Sequence, residues 1–309
     1  MGDWGFLEIS LNKAKEIADE QLRTGEFDPE RLTRETLSLS IFDDINAYQK
    51  SEKNLRECEP FEELYQKYLR RYEQYKDSFE DLYKGIEDRV HRREYASGGV
   101  GTHRGYYSPS MSDLIVIGAN RGKLLKRKPN TGKLVYEYLF DKEDNMICVR
   151  WGEYNDGVSN PSEIELFFRE NDIVFSFVYD INRGFYPKLC IMSECHYRDG
   201  IRIKHEYAGS WSIFSEKDIK TRRACNTIMV EDYEYDEDGV FQTLYRALYY
   251  PSIYSITIDK HCFYRDEEGD LSSYIREQTA GYLPPTNDDR KPQWFCQMKK
   301  KRKGITPFE

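Results

Sequence analysis

Tyr197-Arg-Asp-Gly200-Ile201-Arg-Ile-Lys-His205-Glu-Tyr207 is the stretch that decides the fold class of this 309-residue chain. Behind Asp199-Gly200, Ile201, Ile203, His205 and Tyr207 alternate with Arg202, Lys204 and Glu206. A period of two predicts a strand with one face inward, and an Asp-Gly pair tolerates the positive φ that a two-residue hairpin turn requires. Working outward, the same logic recurs in Phe140-Asp-Lys-Glu-Asp-Asn145-Met-Ile, Phe168-Arg-Glu-Asn171-Asp-Ile-Val, Tyr235-Asp-Glu-Asp-Gly239-Val-Phe and Tyr264-Arg-Asp-Glu-Glu-Gly269-Asp-Leu. In each, an aromatic ends one strand, an acidic turn follows, and apolar residues open the next. The Gly or Asn positions lie 26, 29, 39 and 30 residues apart. A period of about 30 residues matches two strands with their connections, which predicts a degenerate repeat building an antiparallel meander. Asn130-Thr-Gly132 is expected as a turn at the opposite edge.

Upstream the period changes. Phe6 to about Arg23 is amphipathic and ends before Gly25, and Asp28-Pro29 supplies an N-cap with proline at the first helical position. The helix that follows is expected to run to around Cys58, with Leu32, Leu37, Ile41, Ile45, Tyr48 and Leu55 inward. Pro60 allows a break. Phe61, Tyr65, Tyr68, Tyr72, Tyr75, Phe79, Leu82 and Ile86 then recur at spacings of four and three, an a/d seam in a helix expected to reach about Glu94. Two readings stand: an antiparallel hairpin with the preceding helix, or a seam shared with another chain. Aromatics at a and d are bulky for a parallel dimer, which favours packing within the chain. The expected fold is α+β, with a coiled-coil-like N-terminal helical hairpin (1–95), a Gly-rich linker (96–105), an extended antiparallel β-meander (106–285) and a basic C-terminal tail (286–309).

Apolar residues make up 39% of the chain and charged residues 33%, but 25 Tyr, 16 Phe and 4 Trp supply enough burial for a folded protein. Seven basic residues in 290–309 oppose only Glu309, so the rest of the chain is strongly acidic. That balance argues against a nucleic-acid surface and suits a basic protein partner. No signal peptide and no apolar run long enough to cross a bilayer is read. Met1-Gly2 lacks the Ser or Thr of a myristoylation motif, because Phe6 stands there. The seven cysteines form no CxxC pair, which fits reduced thiols in a cytoplasmic protein with no metal and no cofactor.

Tyr233-Glu-Tyr235-Asp236-Glu-Asp-Gly239 resembles the tyrosine–aspartate hairpin of the RHS and YD-repeat family, which builds large β-shells around bacterial toxins. The other copies depart from it: Phe140 precedes Asp141 in place of tyrosine, and Arg265 stands where the aspartate belongs. Short acidic chains with such meanders resemble the immunity proteins encoded beside bacterial polymorphic toxins. The resemblance implies a non-enzymatic inhibitor that covers the active site of a basic toxin. Its binding residues would be Tyr235, Asp236, Glu237, Asp238, Tyr264, Asp266, Glu267 and Glu268.

Other chemistry finds less support. Gly118-Ala-Asn-Arg-Gly122-Lys123-Leu124, after an apolar strand at Leu114–Ile117, has one residue too few between its glycines for a phosphate loop and no Ser or Thr after the lysine. Glu234-x-Asp236-x-Asp238-Gly239 begins like a calcium loop, but Tyr245 occupies the place of the bidentate glutamate. Cys195-His196 and His261-Cys262 are adjacent within strands, so the two side chains of each pair point to opposite faces. A Cys/His site would need partners from neighbouring strands. The Gly-rich His103-Arg104 segment is the best enzymatic candidate, as a metal- or His-dependent phosphoester hydrolase or nuclease. A self-assembling scaffold joined through Phe61–Ile86 is the remaining alternative.

Overall fold

Thirteen strands form one antiparallel sheet in the computed structural model, which describes residues 19–20, 23, 48–98, 104–116, 121–129, 133–155, 158–182, 186–209, 211, 216–220, 224–267, 269, 271–280 and 293–294. The strands are β1 (Arg92–Ser97), β2 (Lys123–Leu124), β3 (Lys133–Phe140), β4 (Met146–Asn155), β5 (Val158–Glu170), β6 (Ile173–Asp180) and β7 (Lys188–Arg198). They continue with β8 (Ile201–Gly209), β9 (Thr227–Tyr235), β10 (Phe241–Tyr250), β11 (Ser255–Arg265), β12 (Leu271–Ala280) and β13 (Gln293–Trp294). From β3 to β13 the spatial order is the chain order, while β1 lies between β3 and β2. The meander expected from the acidic turns is therefore present. At its clearest hairpin, Asp199 (φ 52°) and Gly200 (φ 78°) both take positive φ, the signature of a type I′ turn whose twist matches its strands.

The helical hairpin is overturned. Among the described residues the chain has one long helix, α1 (Glu52–Tyr75), with Pro60 inside it. Glu59-Pro60 is thus helix interior and not a link. Of the expected helix at Phe6–Arg23 only Asp19, Glu20 and Arg23 are described, all as helix, and the one expected from Asp28 lies outside the described residues as far as residue 47. The helical stripe does face inward, but onto the sheet. Tyr65 and Tyr72 stack on Trp211 at 6.1 and 5.2 Å, Tyr75 stacks on Phe177 at 4.6 Å, and Phe61 meets Tyr249 at 5.9 Å. A heptad stripe specifies which face of a helix is buried and is silent about what covers it. Broad aromatic rings suit the pleated surface of a sheet better than the narrow seam between helices.

Both ends of α1 are tied to strands. Ser51 Oγ caps the first turn by accepting from Asn54 N at 3.1 Å. Buried Asn54 donates through Nδ2 to Tyr254 O at 2.8 Å and accepts from Ile256 N at 3.3 Å. At the other end Tyr179 OH donates to Tyr75 O at 2.7 Å. The seam then breaks into α2 (Phe79–Tyr83) and α3 (Ile86–Arg89), with Gly85 between them in the left-handed region at φ 76°. Phe79 and Ile86 still reach the core. The next residues pair as β1, so the expected run of helix to Glu94 is also corrected.

Residues 104–116 cross the opposite face of the sheet as a strap. Met111, Leu114 and Ile115 pack with Tyr233, Phe241, Leu244 and Phe263, while Tyr106 and Tyr107 pack against Ala96, Tyr138 and Phe140. Ser112–Val116 form a wide π-helical turn, where a strand was expected at Leu114–Ile117. Just before this turn the buried Ser110 Oγ accepts from Asp113 N at 3.1 Å, satisfying a backbone group that a strand would offer to a neighbour.

Two of the register shifts in the sheet bear on the reading of the sequence. Gly152 opposes Pro161 at a register shift, and a Cβ at Gly152 would lie 2.4 Å from Asn160 O. Proline inside a central strand is tolerated at such a bulge because no ladder N–H is required there. Between β7 and β8, Tyr197 pairs with Arg202 and His196 with Lys204, leaving Ile203 as the extra residue. The simple alternation of Ile201–Tyr207 is corrected by this shift: Arg202 joins His205 on the strap face, where it lies over the Tyr233 ring at 5.4 Å.

Candidate functional site

Successive hairpins of a meander place every second turn on the same rim. The turns after β3, β5, β7, β9 and β11 therefore stand in a row, about 9–10 Å apart at two strand spacings each. Glu143, Asp144, Glu170, Asp172, Asp199, Asp236, Glu237, Asp238, Asp266 and Glu267 are exposed along it. Their backbones are held firmly. Asp141 Oδ1 accepts from Glu143 N at 3.0 Å and Asn145 N at 2.9 Å. Asp236 Oδ1 accepts from Asp238 N at 3.1 Å and Val240 N at 2.7 Å, and its Oδ2 from Gln242 Nε2 at 2.8 Å. The Val240 N–H above all holds the Asp236 carboxyl below the usual carboxylate range. Gly239 and Gly269, at φ 77° and 83°, close the two turns.

Of the residues expected to bind, Asp236, Glu237, Asp238, Tyr264, Asp266 and Glu267 are exposed on this rim, while Glu268 lies outside the described residues. Tyr235 turns inward instead: its OH donates to Arg202 O at 2.8 Å and its ring packs on Phe241 at 5.8 Å.

His103 lies outside the described residues; Arg104 begins the strap, at φ 63°. Its guanidinium is buried and donates to Glu165 Oε1 at 2.7 Å and to Ser176 Oγ and Ser193 Oγ at 3.0 Å each, over the Phe167 ring at 4.6 Å. Farther along the strap, Glu231 accepts from Ser110 Oγ at 2.9 Å, Met111 N at 3.1 Å, Ser112 N at 2.9 Å and Tyr233 OH at 2.5 Å. Burial pushes the Glu231 carboxyl up, but the His205 contact and these donors outweigh it and bring it to about 2.

Neighbouring strands do bring a thiol and an imidazole together. Cys195, His205 and Glu231 stand directly across from one another on β7, β8 and β9, and His205 Nδ1 lies 3.5 Å from Glu231 Oε2. All three are fully buried, and Arg104 lies 3.9 Å from Cys195 Sγ. The row offers no open face to a substrate, so it serves as a polar seam that seats the strap. His196 faces the other side, as alternation requires.

On the α1 side the charges reach solvent. Lys67 Nζ sits 2.8 Å from both Glu194 and Glu206, and Lys204 Nζ 2.9 Å from Glu206. Arg71 also pairs with Glu194, and His196 Nε2 lies 3.2 Å from Glu194. Ligand atoms of Glu194, His196 and Glu206 fall within 4.8 Å of one another, as around a metal ion. The Lys67 ammonium already bridges both carboxylates, so a divalent cation would meet a resident positive charge. The trio reads as an ion-pair network.

Beside this network, between α1 and the β5–β6 hairpin, is a half-open cleft of about 340 Å³. Phe168, Phe175, Phe177 and Tyr75 make an aromatic wall, with Arg71, Gln74 and Glu170 at the polar side. Tyr75 and Phe168 pack on Phe177 at 4.6 and 5.6 Å, and Arg71 covers Phe175 at 4.6 Å. The volume is at the low end of small-molecule sites, roughly 300–1,000 Å³. Sequence reasoning missed this cleft. The signal available was the run Phe175, Phe177, Tyr179 on one strand face, answered by Phe168 across the turn. No family model matches the chain, and comparison with curated proteins finds no match.

Proposed function

We propose that this chain is a non-enzymatic protein-binding module that presents its acidic rim to a basic partner, in the manner of an immunity-type inhibitor covering a toxin's active site. The row of exposed acidic turns carries this reading. Rigid carboxylates repeated along one edge outnumber the exposed Lys142, Arg169 and Arg198 of the same turns, and the resulting net negative field accelerates encounter with a cationic surface and favours one orientation. The burial of Arg104 and of the Cys195–His205–Glu231 row removes support from the hydrolase alternative. A cytoplasmic location belongs to the same proposal. It is compatible with the six free cysteines among the described residues, and no described helix is long and apolar enough to cross a membrane.

The test is co-purification from the host alongside neighbouring gene products, followed by titration of the captured partner against a rim variant. Glu143→Lys, Glu237→Lys, Asp238→Lys and Glu267→Lys together should weaken binding at least about tenfold and flatten its salt dependence. Asp236 is left intact because it holds its turn. Reversal of Glu59 and Glu63 on α1 should change little. Equal affinity in the two variants would refute the reading.

A further inference from the structure

We infer that the cleft between α1 and the β5–β6 hairpin is an anchor pocket for an arginine side chain of the basic partner; this rests on the rim reading above. Four features lead there. The wall is aromatic, and Phe175 already carries one guanidinium, that of Arg71, at 4.6 Å, so its rings suit cation–π stacking. Arg71 itself brings no free charge, because Glu194 pairs with it. Lys67 and Lys204 are likewise matched by Glu194 and Glu206, with Asp232 beside Lys204 as a further carboxylate. That leaves Glu170 at the mouth, exposed and in no ion pair among the described residues. Glu170 also belongs to the acidic rim, since it ends β5 at the Asn171-Asp172 turn. A partner held along the rim therefore passes its side chains directly over the cleft.

An entering arginine would lay its planar head against Phe168, direct its N–H groups to the Glu170 carboxylate, and bury its methylene stem beside Tyr75 and Leu82. A lysine would find the carboxylate but lose the planar stacking. Charge and shape together thus select guanidinium over ammonium, and both over a neutral group.

The experiment titrates the intact chain with N-acetyl-arginine methylamide and with its lysine, citrulline and phenylalanine counterparts, following the ring resonances of Phe168, Phe175 and Phe177. Arginine should give saturable shifts in the millimolar range, the scale of one side chain without its protein. Citrulline, which matches the shape without the charge, should bind at least about fivefold more weakly, and Glu170→Gln should weaken arginine by about the same factor. Phe168→Leu should weaken it further and serves as a second, conservative probe. Equal binding of citrulline, stronger binding of phenylalanine, or unchanged affinity in Glu170→Gln would overturn the proposal, as would an absence of saturable shifts. The rim reading stands or falls separately. Partner capture that needs the rim but ignores Glu170 and added arginine amide removes the anchor alone. Arginine binding without rim-dependent capture removes the rim alone.

Discussion

Beneath α1, Lys67, Arg71 and Lys204 reach Glu194 and Glu206 from the solvent side, and each cation keeps a quarter to a third of its side chain exposed. Beneath the strap, Arg104, Glu165 and Glu231 have almost no exposure, and their partners come from serines, a tyrosine and backbone N–H groups. The helix is held chiefly by ring burial, worth about 1.5–3 kcal/mol for each large apolar side chain taken fully from water. The strap also buries Met111, Leu114 and Ile115, but its buried polar bonds set where it lies. The first arrangement tolerates loss of one charge. The second does not, because a buried group without its partner keeps its full desolvation cost.

The largest expected effect follows from that contrast. Arg104→Met breaks the buried Arg104–Glu165 ion pair and should cost about 3–5 kcal/mol in urea unfolding. Adding Glu165→Leu should recover most of it, since Ser176 and Ser193 still bond each other at 2.8 Å. A single variant as stable as the double would break the comparison.

Acid should act on His261 and Glu206, one on each face, in different pH windows. Burial, with the Arg246 charge, pushes His261 on the strap face down to about 3 from 6.5. A base depressed on folding stabilises above its unfolded pKa, and that stability is lost as pH falls below about 6.5. On the α1 face burial raises the Glu206 carboxyl, but hydrogen bonds and charge from Lys67 and Lys204 outweigh it and hold it at about 2 against an ordinary 4.5. Its contribution is complete above about pH 5 and lost towards pH 2. Each limb should amount to something on the order of 3 kcal/mol. His261→Phe should reduce the upper limb and Glu206→Gln the lower one, to which Glu231 of the strap face also contributes, in a stability–pH series. A variant that flattens the other limb would contradict the assignment.

The smallest effect sharpens the α1 side. Tyr68 OH donates to Glu206 Oε2 at 3.3 Å, beside two lysines that already satisfy that carboxylate. Tyr68→Phe keeps the ring and should cost about 1 kcal/mol in the same unfolding assay. A loss as large as that of Arg104→Met would mean that the helix face also depends on buried polar bonds.

The turns were legible in the sequence because their chemistry is local. Asp199-Gly200, Asn171 and Gly239 sit where positive φ is needed, and a tetrapeptide is enough to show it. The buried face of α1 was legible too, from Phe61 to Ile86. Its partner was not, because periodicity carries no record of what lies opposite. The helix end was hidden for a related reason: the break after Tyr75 and the left-handed Gly85 fall inside a stretch whose heptad spacing still holds to Ile86. In the site, the exposed acids of the rim followed from the repeat. The pairing of Cys195 with His205, the flipping of Arg202 by a bulge, and the meeting of Arg71 with Phe175 depend on strand register and on contacts across the fold, which no local pattern encodes.

The strap also sets an order in time. Arg104 meets Glu165, Ser176 and Ser193 at separations of 61, 72 and 89 residues, while Met111 and Ser112 wait for Glu231, 120 and 119 residues on. At a synthesis rate of about 5–20 residues per second, Glu231 appears on the order of ten seconds after the strap itself. The segment is thus made early and seated late, from its Arg104 end onward, as the growing meander delivers each strand beneath it.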